Sequence, residues 1–288
     1  MIKITDVRAH LGDSGFLVDD GKTAILFDSG FGFTGKKMVE NIKRLLGERP
    51  LDYIFLSHSH YDHILGAFFA KKEWQNAVVV AGEHTAEVFK KEGARRVMRE
   101  LDEKFARECG VEEYEDVTPM LSVDVVLKDG ESVLAGDNEY RAIYFPGHTK
   151  CSTGFYLESK KLLLGSETLG VYDGENVMPI FLVGYALARA SLEKALSLSI
   201  DRLLVPHFGD ICGKEKVKSY LESALQETDA TASLIKNALE RGVSKPDVLE
   251  ILKERFFYNK FDKYYPIAAM ELNTSIMINL VEKELLGV

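Results

Sequence analysis

Cysteine is scarce in this chain of 288 residues: Cys109, Cys151 and Cys212 are odd in number, widely spaced and form no CxxC pair. That excludes a disulfide framework and points to a reducing compartment. Long apolar runs are missing as well. The longest, PIFLVGYALA at 179–188, is half of the roughly 20 residues a membrane span needs. The first ten residues, MIKITDVRAH, lack the apolar core of a secretion signal. The expectation is a cytoplasmic protein with no membrane partner. Basic charge is also short: 36 Lys and Arg face 45 Asp and Glu, a formal net charge of −9. An acidic surface repels phosphate backbones, so nucleic acid is not expected as a partner. Low-complexity segments and linkers rich in Gly, Ser or Pro are absent too.

What remains is an ordinary globular composition, 46% hydrophobic, and a length that builds a core without staples. FLVDDGKTAILFDSG holds two strand-like runs around the turn Asp19-Asp20-Gly21. In TGKKMVENIKRLLG, Thr34 is placed to cap a helix. Met38, Ile42, Leu45 and Leu46 form its apolar stripe, and Gly47 ends it. LDYIFLS and NAVVVAG read as buried strands, and residues 84–113 as charged helix. Strand-like YRAIYFPGHT, TGFYLES, KLLLGSETLG and DRLLVPHFGD follow, with a helix over ALARASLEKALSLS. ILFDSGFG and LLLGSETLG share a plan of apolar strand, acid and glycine, which suggests a loose internal duplication. From about 214 the chain reads as helices. One starts at Ser244-Lys245-Pro246-Asp247, and the last covers about 265–286. The expected organisation is a catalytic domain over 1–213, with a helical insertion at about 84–113, and a helical extension over 214–288 packed on it.

Histidine is scarce too, seven residues in all, yet three fall in His58-Ser59-His60-Tyr61-Asp62-His63 at the end of a strand. Imidazole and carboxylate are preferred ligands of zinc and its first-row neighbours. The spacing lets His58 and His60 face one metal while Asp62 and His63 face another. His148 in FPGHTKCSTG and His207 in LLVPHFG follow apolar strands, each in a short loop marked by Pro and Gly. Glu167 and Asp28 add acids where two further strands run out.

This set, an early Asp, HxHxDH, a later His, an acid and a final His, resembles the metallo-β-lactamase-fold superfamily of metallohydrolases over residues 2–212. The resemblance implies an α/β fold, a four-layer αββα sandwich with the site along one edge. It implies that His58, His60 and His148 hold one metal and Asp62, His63 and His207 the second, with Asp28 orienting the histidine loop rather than ligating. In place of the family's bridging Asp in a Gly-Asp pair stands Ser166-Glu167. Glu167 either bridges from a shifted backbone or ligates one metal only. Two divalent ions are implied, zinc before iron or manganese. The implied activity is cleavage of an ester, thioester or lactone of a small molecule by metal-bound hydroxide, with Asp62 binding metal and handling the proton of the nucleophile. A phosphodiesterase or nuclease on the same scaffold, and a regulatory binding module with a residual metal site, are the alternatives. The helical tail resembles superfamily members whose C-terminal helices roof the active site, glyoxalase II and the thioesterase of quinolone signalling. A homodimer is compatible with everything in the sequence.

The remaining marked residues divide between pocket and core. Tyr172, Met178 and Phe181, after the Glu167 loop, are expected either to line an apolar substrate pocket or to pack in the core. Phe256, Phe257, Tyr258, Phe261, Tyr264 and Tyr265 are expected to form a seam between tail helices or a lid. His10, in an early strand, and His84, at a helix start, are expected to be structural. Cys151 and Cys212 are expected to be small buried fillers.

Overall fold

The computed structural model describes residues 2–263 and 266–287. Tyr264 and Tyr265 lie outside the described residues. The chain divides into two compact units, Met1–Ile143 with Thr153–Glu158, and Tyr144–Ser152 with Ser159–Val288.

The first unit opens with β1 (Lys3–Asp6), β2 (Phe16–Asp19) and β3 (Ala24–Phe27), paired antiparallel. Helix α1 (Gly35–Leu46) then crosses to β4 (Tyr53–Leu56), which lies parallel to β3. Helices α2 (Tyr61–Ile64) and α3 (Ala67–Glu73) lead to β5 (Val78–Gly82), and α4 (Glu83–Phe89) and α5 (Glu92–Glu108) lead to β6 (Val125–Leu127). The six strands pair in chain order, and β3 to β6 are all parallel. A parallel sheet is covered on both faces, which is why these strands read as continuous apolar runs. Alternate residues serve opposite faces. Leu26, Ile54, Leu56, Val79 and Ala81 pack with Met38, Ile42 and Leu46 of α1, Phe69 of α3 and Phe89 of α4. Phe27 and Phe55 point the other way, onto a second set of strands: β7 (Ser132–Ala135), β8 (Asn138–Tyr144) and β9 (Thr153–Leu157). There the Phe55 ring meets Phe155 at 4.7 Å and Tyr140 at 5.3 Å. Each such aromatic pair adds roughly 1 kcal/mol beyond the area it buries. Within this unit the order is thus helix, sheet, sheet.

Three local expectations need correction. Thr34 precedes α1 but makes no side-chain cap; its hydroxyl donates to Asp13 Oδ1 at 3.0 Å. His10 lies past the end of β1, in a bend, with its ring against Phe31 and Phe105. The bend exists because the Asp13 carboxylate accepts the N–H groups of Ala9 and His10, at 3.1 and 2.8 Å, and curls the chain. Cys212 is exposed rather than buried, because it ends β14 beside Asp210.

The second unit holds β10 (Leu162–Leu164), the short pair β11 (Val171–Tyr172) and β12 (Val177–Met178), helix α6 (Tyr185–Leu196), β13 (Arg202–Val205) and β14 (Gly209–Cys212). Strand β10 runs parallel to β13, and β14 turns back antiparallel on it. Then come α7 (Lys214–Glu240), α8 (Lys245–Leu252), a π-helical turn at Lys253–Phe261 and α9 (Ile267–Val281). Ser244 caps α8 as its sequence suggested, accepting the Asp247 N–H. Val248, Leu252, Phe256, Phe257, Phe261, Met270, Met277 and Val281 pack with Ile235 of α7 into one apolar cluster. Those aromatics therefore form a seam between helices. No helix among the described residues is long and apolar enough to cross a membrane.

Helix α5 brings one unexpected charge into the core. Asp102 is fully buried, and its Oδ1 accepts the Gly32 N–H at 3.1 Å. Burial raises its carboxyl to about 7, against the Tyr114 hydroxyl and the Gly32 N–H, which favour the anion; the nearby acids Asp13 and Asp62 add to the rise. The folded pKa lies above the unfolded one, so the contribution to stability is full below about 4 and is lost as pH rises toward 7. The slope is on the order of 1 kcal/mol per pH unit in that window. Asp102→Asn keeps the shape and removes the titration. It is expected to melt higher than wild type at pH 8 and to flatten the decline in melting temperature between pH 4 and 7. Parallel melting curves for the two proteins across that range would contradict this.

Candidate metal centre

Each unit gathers part of the expected donor set at the carboxyl ends of neighbouring parallel strands, where open α/β sheets place their ligands. In the first unit, β3 and β4 are in register at Phe27 and Phe55, so Asp28 and Ser57-His58 emerge side by side. The Asp28 N–H donates to Phe55 O at 2.8 Å. The loop after β4 then folds back: Ser14 N–H donates to Asp62 O at 3.1 Å, and both the N–H and hydroxyl of Ser29 donate to His63 O. These bonds hold His58, His60 and His63 together, with ring centroids 4.6 Å apart for His58–His60 and 4.1 Å for His58–His63. Asp62 Oδ2 stands 3.6 Å from His63 Nε2.

Asp28 organises this cluster from beneath. It is fully buried and sits at φ 54°, a left-handed conformation that Asp tolerates better than most residues. Its Oδ1 accepts the Ser57 N–H at 2.8 Å. Its Oδ2 accepts the hydroxyls of Ser14 at 2.9 Å and Ser57 at 3.0 Å, and faces His63 Nδ1 at 2.7 Å. A carboxylate only accepts, so the His63 proton is on Nδ1 and its Nε2 keeps a lone pair. The same logic reaches His58. Ser57 spends its hydroxyl proton on Asp28, so its oxygen accepts from His58 Nδ1, 3.0 Å away. His58 Nε2 also keeps its lone pair. One carboxylate fixes two tautomers, both in the metal-ligating form. Sequence reasoning found Asp28 but missed Ser14 and Ser57. Ser57 directly precedes the motif, whereas nothing in the sequence marks Ser14.

In the second unit, β10 and β13 are in register at Leu164 and Leu204, and Gly165 N–H donates to Leu204 O at 2.9 Å. Glu167 opens a one-turn 3₁₀ helix after β10, and His207 sits in the tight connection from β13 to β14. His207 has φ 62°, a second strained backbone at a donor. His148 follows β8, and its N–H donates to Thr168 Oγ1 at 3.1 Å. Its neighbour Gly147 is forced to be glycine by crowding. A Cβ there would lie 2.6 Å from Ala188 Cα and 2.7 Å from Thr168 Cγ2. His148, Glu167 and His207 are all buried. The Glu167 carboxylate offers one oxygen to each histidine, with Oε2 3.0 Å from His148 Nε2 and Oε1 3.8 Å from His207 Nε2. Donors about 2.0–2.1 Å from one tetrahedral cation stand roughly 3.3 Å apart. The donor chemistry of both sets, imidazole nitrogens and carboxylates, fits a divalent first-row metal.

Met178 and Phe181 are buried in the apolar cluster of the tail helices. Tyr172 is half-buried, with its ring 4.6 Å from Phe208 and 5.0 Å from Tyr220.

The Metallo-beta-lactamase superfamily model matches residues 10–207. Glyoxylase B2 of Dictyostelium discoideum is 26% identical over 136 residues, 46% of this chain and 42% of that protein. The match thus spans less than half of that relative's length. A metallo-beta-lactamase family protein from Thermus thermophilus shares 20% identity and superposes with a TM-score of 0.65, covering 94% of this chain and 88% of the other. An archaeal metallo-beta-lactamase superfamily protein from Sulfolobus tokodaii shares 18% identity with a TM-score of 0.62, covering 98% of each. The two-sheet α/β fold of this chain is theirs.

Proposed function

This chain belongs to the metallo-beta-lactamase superfamily, made up mostly of metal-dependent hydrolases, and from that premise we propose that it hydrolyses an ester, thioester or lactone of a small molecule at a pair of divalent cations. His58, His60 and His148 would hold one cation and Asp62, His63 and His207 the other, with Glu167 bridging. The observation that carries the reading is the Glu167 carboxylate, which turns one oxygen to His148 and the other to His207. A bridging carboxylate has that disposition. The longer side chain of Glu reaches it where the sequence has Ser166-Glu167.

When bound, such cations polarise an acyl oxygen and acidify a water toward a pKa of about 7. The remaining work falls to the protein. Asp28 and Ser57 keep the Nε2 lone pairs of His63 and His58 outward. Asp62, on α2 and only partly buried, would take the proton that the attacking water loses. An alkoxide or thiolate leaves with little need of an acid, which favours oxygen and sulfur esters over amides. Partial sequence similarity to a protein named Glyoxylase B2 supports a metal-dependent hydrolase. The net charge of −9 argues for a small substrate rather than a nucleic acid.

The test combines elemental analysis of the purified protein with a panel of a thioester, a lactone and a bis-aryl phosphate. The expected result is two cations per chain, zinc foremost, and turnover of the thioester or lactone above the phosphate. One cation per chain would refute bridging by Glu167. Preference for the phosphate would refute the acyl assignment.

A further inference from the structure

We propose that Tyr220, on helix α7, is a positioning residue for Glu167 and thereby sets how tightly the more weakly held cation binds. The inference rests on the two-cation reading. The Tyr220 side chain is buried, and its hydroxyl stands 3.0 Å from both Leu169 O and Gly170 O. One phenol therefore grips the end of the turn that Glu167 begins. The turn closes on itself through Leu169 N–H to Ser166 O and Gly170 N–H to Glu167 O, each 3.0 Å.

Three anchors hold this turn in place. Gly165 ties it to β13, and Thr168 ties it to the His148 N–H. Tyr220 is the third, and the only one of these three that comes from the helices after residue 213. The surroundings leave the turn little room. Gly170 has φ 100°, and a Cβ there would stand 2.6 Å from Val177 Cγ1 and 3.4 Å from the Tyr220 hydroxyl. Burial also raises the phenol well above its ordinary value, so it remains a neutral donor at every working pH.

A glutamate needs such an anchor more than an aspartate would. Its carboxylate hangs on one more rotatable bond, so small backbone shifts reach the oxygens amplified. Distances of 3.0 and 3.8 Å to two histidines hold only if the backbone of the turn is fixed. Groups behind a ligand typically change metal affinity 10- to 100-fold when removed. The clamp also gives the tail helices a task at the site without any of their side chains touching a metal.

Tyr220→Phe tests this, since it removes the hydroxyl and keeps the ring that packs on Tyr172. Metal-free protein is titrated with zinc against a chromophoric chelator, beside wild type. The expected result is two cations in wild type and, in Tyr220→Phe, the weaker of the two losing affinity about 10- to 100-fold. At limiting zinc, kcat is expected to fall with KM within about twofold of wild type, and excess zinc is expected to restore it. Thr228→Ala is the control for general loosening. It deletes another buried hydroxyl of α7, bonded to Ala224 O at 2.8 Å, and is expected to leave both affinities unchanged. Wild-type affinities in Tyr220→Phe would overturn the inference, as would an equal loss in Thr228→Ala. A single cation in wild type would instead overturn the two-cation reading on which it stands.

Discussion

Asp62→Ala is expected to lower hydrolysis by about 10³-fold or more and to move the melting temperature by only a few degrees. The activity loss follows from the two roles proposed for this side chain, holding a cation and taking a proton; each is worth on the order of 10² or more when removed. The small stability effect follows from where the residue sits. The bond that fixes it in the fold, Ser14 N–H to Asp62 O, is made by the backbone and survives in alanine. Losing the Asp62 charge relieves the buried Asp102, whose carboxyl it helps to raise. The stabilities therefore differ by about 1 kcal/mol or less, a shift of roughly 2–4 °C for a chain of this size. Steady-state rates with the best substrate of the panel, beside melting curves, decide it. Wild-type turnover by Asp62→Ala would sink the assigned chemistry, and a collapse in melting temperature would show that the residue is structural.

Much of this architecture was legible because it is written locally. Parallel strands buried on both faces read as apolar runs, so β3, β4, β5, β10 and β13 stood out. The ends of such strands collect donors, which made Asp28, His58, Glu167 and His207 visible as candidates. The shared plan of ILFDSG and LLLGSETLG has a counterpart in the structure. In each, a strand beside a parallel neighbour ends in an acid, and the neighbour ends in histidine. Illegible were contacts between segments far apart in the chain. Ser14 bonds Asp28 from fourteen residues away, and Tyr220 holds carbonyls fifty residues earlier. Serine and tyrosine are too common to signal such roles. Thr34 makes no cap because its own backbone is already helical, at φ −94° and ψ −11°, and its hydroxyl donates to Asp13, twenty-one residues upstream.

Asp28→Asn is expected to lose metal while keeping most of its stability, whereas Asp28→Ala is expected to lose much more stability. Alanine leaves the Ser57 N–H, two serine hydroxyls and the His63 Nδ1–H without their buried acceptor. Each such group costs on the order of 1 kcal/mol or more, and the left-handed backbone costs roughly 1 kcal/mol further. A total of about 5 kcal/mol corresponds to a drop in melting temperature on the order of 10–20 °C. Asparagine tolerates φ 54° and keeps an oxygen for Ser57 N–H, so its loss is expected to be about 1–2 kcal/mol. Its amide N–H₂, however, takes the place of Oδ2. Facing a donor instead of an acceptor, His63 Nδ1 must give up its proton and accept, which moves that proton to Nε2. The Ser57 hydroxyl, no longer drawn to a carboxylate, turns to donate to His58 Nδ1 and does the same to the second ring. Both nitrogens meant for metal are then capped by hydrogen, in a protein that still folds. Elemental analysis of folded Asp28→Asn is therefore expected to find less than one cation per chain, with hydrolysis reduced to match. Two cations and a wild-type rate would show that the tautomers of His58 and His63 are set by something other than Asp28.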